Sequence, residues 1–347
     1  MKIVSDQNVH EFLDKSLTRD SILNHYQPAL LGSLRDYQHN PEIVPPRTVR
    51  STTTKNSDLT HLFMPCVAPD ATGVKIISGG PSNSQKGLGF QGFIATVDDI
   101  DGTLTGVVNA KTVTPFRTAL ASSIGLVNAI DPLNVPETMT SSLTVFGVGP
   151  QAYWHVKLTL ILFPNIKSVT VVNRSYEKAQ EFAKELKKDF GTNIATVNAY
   201  LYQDATHTEI INQKLSGSCV VFGCLPSTLP AIDFSALNKD PKVPVFVSLI
   251  GSYKPTMREL DLSALKASGK KLVVDTAEGV FEEAGEVADA GLSRSQMVEL
   301  AQLLKTDRQD FTMAENIVVQ KIVGMSNMDL VVAKMLIGST GTTFDGF

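Results

Sequence analysis

The chain of 347 residues is 43% hydrophobic and 19% charged, an ordinary globular balance with enough length for two domains. A formal net charge of −4 gives no general attraction to nucleic acid or an anionic membrane, and no stretch reaches the roughly 18 apolar residues of a membrane span. Three cysteines (Cys66, Cys219, Cys224) exclude a disulfide framework and point to a reducing compartment; six scattered histidines share no metal-ligand spacing, so no metal is expected.

Met1–Gln7 has no apolar signal core or cleavage pattern, so a cytoplasmic location is expected. Segment 1–45 is predicted to be mostly helical, with Ser5 and Asp6 as caps before Val9, Phe12 and Leu13, and Pro45–Pro46 as its end. From about 47 to 110 the runs Val74–Ser78, Gly92–Val97 and Leu104–Val108 are β-branched and broken by Gly, Pro and Asn. Asp101–Gly102 lies between the last two, a hairpin signal, so a small, largely antiparallel sheet is expected. Thr114–Ala129 returns to a helical pattern.

From about 140 to 280, short apolar runs alternate with amphipathic helices. The predicted strands are Leu143–Phe146, Val169–Val172, Ala195–Asn198, Cys219–Gly223, Val245–Leu249 and Leu272–Val274. Each run is continuously apolar, as when both faces of a strand are covered. With crossover helices such as Tyr176–Lys188 they predict an α/β fold with a Rossmann doubly wound parallel sheet. A strand at Ile317–Ile322 and a helix from near Asn327 close the chain. That helix is expected to cross back onto the first domain. The predicted division is therefore 1–120 completed by 320–347, a discontinuous α+β domain, and 121–319, the Rossmann domain.

The run Thr144-Val145-Phe146-Gly147-Val148-Gly149-Pro150-Gln151-Ala152 leads from a strand through Gly-x-Gly-x-x-Ala into a helix. Gly147 allows the tight turn, Gly149 the approach of a pyrophosphate, and Ala152 close packing of helix on sheet. The helix N-terminus offers N–H groups and a positive dipole to phosphate. The bland alternative is a tight structural turn. The next strand ends in Asn173-Arg174-Ser175, where an NAD(H) site carries Asp or Glu. A guanidinium there suits a 2′-phosphate, so NADP(H) is expected over NAD(H), unless Arg174 is merely a solvated loop residue.

These motifs resemble the ornithine cyclodeaminase/mu-crystallin family. The likeness includes Gln151 in the glycine loop. Before it stand Pro46-Arg47-Thr48, Met64-Pro65, Gly73-Val74-Lys75 and Thr114-Pro115-Phe116-Arg117-Thr118-Ala119; after it, Ile250-Gly251-Ser252, Arg258-Glu259-Leu260-Asp261, Val274-Asp275, Gly285-Glu286 and Val323-Gly324-Met325 with Asp329. The resemblance implies a substrate and dimerisation domain beside a Rossmann domain, a homodimer, and hydride transfer between a nicotinamide and a carbon bonded to nitrogen in a small α-imino or α-amino acid. By the same match, Arg47 and Arg117 would bind the substrate carboxylate and Lys75 would serve as the catalytic proton carrier. Gly147, Gly149, Gln151, Ala152, Asn173, Arg174 and Ser175 would hold the cofactor.

Two positions depart from the cyclodeaminases of that family. Leu62 and Tyr253 stand where carboxylates would bind a side-chain amine, and neither is a base near neutral pH. A ketimine reductase-like activity with NADPH is therefore expected. The alternatives are an amino-acid or opine-type dehydrogenase, a cyclodeaminase, or a non-catalytic NADPH-binding protein. Trp154 and His155 read as packing or surface residues, Cys224 as a packed residue near the cleft, and Glu278, Glu282, Glu283 and Glu286 as a solvated acidic face.

Overall fold

The computed structural model describes every residue except Asp70, 134–141, Ser252, Tyr253 and Phe347. Contacts divide the chain into two compact units, 1–117 with 325–347 and 118–324.

The first unit is built on a seven-stranded sheet. Its strands are β1 (Lys2–Val4), β2 (Thr48–Ser51), β3 (Thr60–Ala68), β4 (Ala71–Gly79), β5 (Gln91–Val97) and β6 (Leu104–Asn109). They lie in the order β1-β6-β5-β4-β3-β2, with the short strand Thr342–Thr343 outside β1. All pairs are antiparallel except β1 with β6. The expected hairpin joins β5 to β6, and Ser5 caps the helix Asp6–Ser16 in a reciprocal box with Asn8. Four strands, β1, β2, β3 and Thr342–Thr343, are not legible in the sequence. β1 and β2 are too short to show a period, and β3 carries His61 and Pro65 in a run that alternates only weakly.

Alternation in β3 and β4 decides what lies inside. Met64, Cys66 and Ala68 are buried on β3, and Lys75 and Ile77 on β4, while Phe63 and Val67 stay exposed on the other face. The helix Ser326–Ser339 packs on β4 and on the helix Gln27–His39. Ser326 Oγ donates to Pro65 O (2.6 Å) and Asn327 Nδ2 to Ser33 O (2.9 Å), which fixes that helix in register with the strands.

The second unit carries a nine-stranded sheet. Its strands are β7 (Ser142–Phe146), β8 (Ser168–Asn173), β9 (Thr196–Leu201), β10 (Val220–Gly223), β11 (Val245–Leu249), β12 (Leu272–Val274), β13 (Met297–Glu299), β14 (Thr312–Met313) and β15 (Ile317–Lys321). The order is β13-β12-β15-β11-β10-β7-β8-β9, all parallel, with β14 antiparallel on β15. The chain moves outward from β7 to β9, then returns to the other side of β7 at β10. That reversal is the topological switch point of a doubly wound sheet. Two features differ from the expectation of six strands. β13 and the short β14 are additional, and β15 lies inside the sheet between β11 and β12 rather than in a tail. All five residues of β15 are buried, so composition marks it as a covered strand without saying where it inserts.

Among the described residues no helix is long and apolar enough to cross a membrane, and no group of three or more His, Cys, Asp and Glu is placed to hold a metal ion.

Candidate active site and nucleotide cleft

In the first unit, β4 delivers Lys75 into the interior, where its side chain is wholly inaccessible. Lys75 Nζ donates to Asp329 Oδ1 at 2.8 Å, and Arg117 Nε donates to the same oxygen at 2.9 Å. Asp329 sits in the first turn of the helix Ser326–Ser339, and Arg117 in the helix Ala110–Ala129. Arg117 Nη1 and Asp329 Oδ2 are buried with no hydrogen-bond partner among the described residues. Arg47, half-buried just before β2, is close enough for its charge to act on Lys75. Burial pushes the Lys75 ammonium from 10.5 down to about 8; Asp329 opposes the shift, and the charges of Arg117 and Arg47 add to it. The result is a buried charge cluster with cations in excess and one guanidinium nitrogen, Arg117 Nη1, without a hydrogen-bond partner among the described residues. Such a cluster suits a carboxylate, and an ammonium lowered to about 8 can exchange a proton.

In the second unit, β7 ends at Gly147, whose φ of +110° lies in the range that favours glycine. A Cβ there would come within 2.6 Å of Cys224 O, while one on Gly149 would meet nothing within 4 Å. Gly149 begins the helix Pro150–Leu162, whose N-terminus has no side-chain cap. The space beside this uncapped turn continues into a cleft of about 330 Å³. Gly147, Gly149, Asn173, Arg174 and Ser175 line it, joined by Lys178, and no acidic residue does. Asn173 Nδ2 donates to Ser175 O (3.1 Å), and Ser175 caps the helix Tyr176–Phe190. The lining does not extend to Gln151 or Ala152. Ala152 is fully buried beneath the turn, and Gln151 O accepts a bond from His155 Nδ1 (2.7 Å).

Glu286 stands differently from the sequence expectation, whereas Trp154, His155 and Cys224 fall within theirs. Glu286 is buried, not solvated, and its Oε1 lies 3.3 Å from Lys321 Nζ. An acidic cluster on a sequence does not say which carboxylate turns inward. Trp154 and His155 are both buried; burial lowers the His155 imidazole to about 4, so it stays neutral near pH 7. Cys224 lines the cleft, but burial raises its thiol well above the ordinary value, which leaves no nucleophilic thiolate. Tyr253 lies outside the described residues. Sequence reasoning assigns no role to Asp329, Lys178 or Glu259, although Asp329 and Glu259 stand in the motifs that carry the family resemblance. A carboxylate amid Met328, Leu330, Val331 and Val332 on an apolar helix was a signal for Asp329, because such a group must find a partner.

A family model for the ornithine cyclodeaminase/mu-crystallin family matches residues 13–341. An uncharacterized protein of Saccharomyces cerevisiae is 31% identical, with 96% of this chain and 95% of that protein covered. A Delta(1)-pyrroline-2-carboxylate reductase of Bacillus cereus is 27% identical over 88% of each chain. Among solved structures, the Thermococcus litoralis Delta(1)-pyrroline-2-carboxylate reductase in complex with NADH and L-proline aligns with a TM-score of 0.77, covering 99% of this chain and 100% of that one at 21% identity.

Proposed function

The chain belongs to the ornithine cyclodeaminase/mu-crystallin family, and from that premise we propose that it is an NADPH-dependent reductase of small α-imino acids, acting on a C=N bond beside a carboxylate. The observation that carries this reading is the convergence of Lys75 and Arg117 on one oxygen of Asp329, with Arg117 Nη1 buried and without a hydrogen-bond partner among the described residues. A substrate carboxylate would complete that guanidinium. Arg47 would add a second cationic contact and so fix the substrate's distance and face. Lys75, held by Asp329 and lowered to about 8, would give its proton to the imine nitrogen as that nitrogen becomes an amine.

The second unit fits a nicotinamide dinucleotide. The open space at Gly149 leaves room for a pyrophosphate at an uncapped helix end, and Arg174 and Lys178 line the cleft, while the Glu177 carboxylate beside it is held by Ser175 Oγ (3.0 Å). Gly147, Gly149, Asn173, Arg174, Ser175 and Lys178 would hold it, with Arg174 favouring a 2′-phosphate over the bare ribose of NADH. When bound, the group supplies hydride to the C=N carbon. Relatives named Delta(1)-pyrroline-2-carboxylate reductase support a cyclic imino acid as substrate. Leu62, on β3, supplies no carboxylate for an ornithine side chain, which argues against cyclodeamination. Phe63, Val67 and Phe93 form an exposed apolar face of the first sheet and support a homodimer. Three free thiols support a cytoplasmic, reducing setting.

The test is consumption of NADPH and of NADH with Delta(1)-pyrroline-2-carboxylate, beside ammonia release from ornithine. NADPH oxidation coupled to proline formation, without ornithine turnover, is the expected result. Rapid ornithine deamination, or binding of NADPH without turnover of any α-imino acid, would overturn the reading.

A further inference from the structure

One buried side chain ties two strand ends of the second unit together. The chain leaves β10 through Cys224 and Leu225 and leaves β11 through Ile250 and Gly251. Glu259, wholly inaccessible, accepts the Leu225 N–H on Oε1 at 2.9 Å and the Gly251 N–H on Oε2 at 2.6 Å. The carboxylate fits because glycines make room for it. A Cβ on Gly223 would come within 2.8 Å of Glu259 Oε1, and one on Gly251 within 2.5 Å. Lys321, at the end of β15, balances the cluster; its Nζ is 4.0 Å from Glu259 Oε2 and 3.3 Å from Glu286 Oε1.

The segment held by Glu259 is the floor of the nucleotide cleft. Cys224 and Leu225 line it, and Cys224 O occupies the space that a Cβ on Gly147 would need. β10 and β11 lie on the opposite side of β7 from β8, whose end carries Asn173 and Arg174. A dinucleotide in a doubly wound sheet lies across the switch point beside β7. With the adenosine half over Arg174, the nicotinamide half falls over the ends of β10 and β11.

We propose that Glu259 is a positioning residue for the nicotinamide half of the dinucleotide, acting through the amides of Leu225 and Gly251. The proposal rests on the nucleotide reading of the cleft given above. Two amide donors are best met by two carboxylate oxygens: amidation replaces one acceptor with a donor NH2, and protonation turns one oxygen into a hydroxyl that accepts only weakly, so either change loosens one of the two ties. The groups that face Glu259 are Lys321 from β15, Glu286 from the helix Gly285–Ala290 and the Cys224 thiol. Burial lifts the Glu259 carboxyl to about 7; Lys321 opposes this and Glu286 adds to it. Acidification through neutrality should therefore loosen the floor.

The experiment is calorimetric titration of the full chain and its Glu259→Gln variant with NADPH and with adenosine 2′,5′-bisphosphate, at about pH 6 and about pH 8. The variant should bind NADPH about tenfold more weakly at the higher pH, yet bind the fragment within about twofold of wild type. Wild type should lose NADPH affinity on acidification, and the variant should not. A second variant, Lys321→Met, should move the wild-type pH step upward, because the charge that favours ionised Glu259 is gone. NADPH affinity unchanged in Glu259→Gln, equal loss of both ligands, or an unmoved step in Lys321→Met would each overturn the proposal. Failure of wild type to bind either ligand would instead bring down the nucleotide reading, and this proposal with it.

Discussion

The two units each bury a cluster of charge, and the clusters are unbalanced in opposite senses. In the first unit, Lys75 and Arg117 share the single carboxylate of Asp329. In the second, Glu259 and Glu286 both face the ammonium of Lys321. Burying an ion costs several kcal/mol unless partners replace its water, so each surplus needs an answer. The second cluster answers with backbone amides, because Leu225 and Gly251 both donate to Glu259. The first leaves Arg117 Nη1 and Asp329 Oδ2 without hydrogen-bond partners among the described residues; in the second, Lys321 Nζ also makes no hydrogen bond there, but it is the minority charge of its cluster and not the surplus. A surplus met by the chain's own amides acts as a brace. A surplus left open acts as a socket for an anion.

The largest effects should come from removing the shared centre of each cluster. Asp329→Ala removes the shared acceptor of Lys75 and Arg117, leaves both buried donors unmet and should cost about 3–5 kcal/mol of stability in denaturant unfolding. Lys321→Met keeps the amide donors to Glu259, and its carboxylates can take up a proton, so about 1–3 kcal/mol is expected. Equal losses would erase the distinction between brace and socket. Next in size is Lys75→Ala, which should lower kcat by about 10²–10⁴-fold while NADPH affinity is unchanged. An effect confined to KM would remove Lys75 from the proton step and leave it a binding group.

What the sequence made legible follows the same division. The glycine turn, its strand and its helix are contiguous, so Gly147, Gly149 and the segment Asn173–Ser175 could be read locally. Lys75 was found through a motif, but its partner Asp329 is 254 positions away, and no local pattern joins them. Glu259, Glu286 and Lys321 are joined only by the insertion of β15 between β11 and β12, which no periodicity reports. That is why Glu286 was read as solvated. The covered strands were plain from their apolar runs, whereas the short strands at the edge of the first sheet were not.

A smaller effect separates the cofactor cleft from both clusters. Arg174→Ala should weaken NADPH by about 1.5–3 kcal/mol and leave NADH nearly unchanged, as fluorescence titration of each would record. Equal weakening of both would assign Arg174 to the pyrophosphate or to folding.

The smallest effects, in stability against pH, should have opposite signs for the two clusters. The Glu259 carboxyl is raised from 4.5 to about 7, so the folded chain holds an extra proton between those values. Its contribution is fully present below the lower value and is lost as pH rises through neutrality. The Lys75 ammonium is lowered from 10.5 to about 8, so the unfolded chain holds the extra proton between those values, and stability rises with pH across that window. Thermal unfolding of Glu259→Gln should lack the first slope and that of Lys75→Met the second. Retention of both slopes in both variants would mean that other groups titrate.

The claim that the first cluster is a carboxylate socket is tested most directly with pyrrole-2-carboxylate, a planar ring acid that the proposed reaction cannot reduce. Its affinity for wild type and for Arg117→Ala should be measured by calorimetry with NADPH present. The account predicts binding to wild type, a loss of about tenfold or more in Arg117→Ala, and the same NADPH affinity in both proteins. Equal affinity of the ring acid for the two proteins would show that the open guanidinium of Arg117 does not receive the substrate.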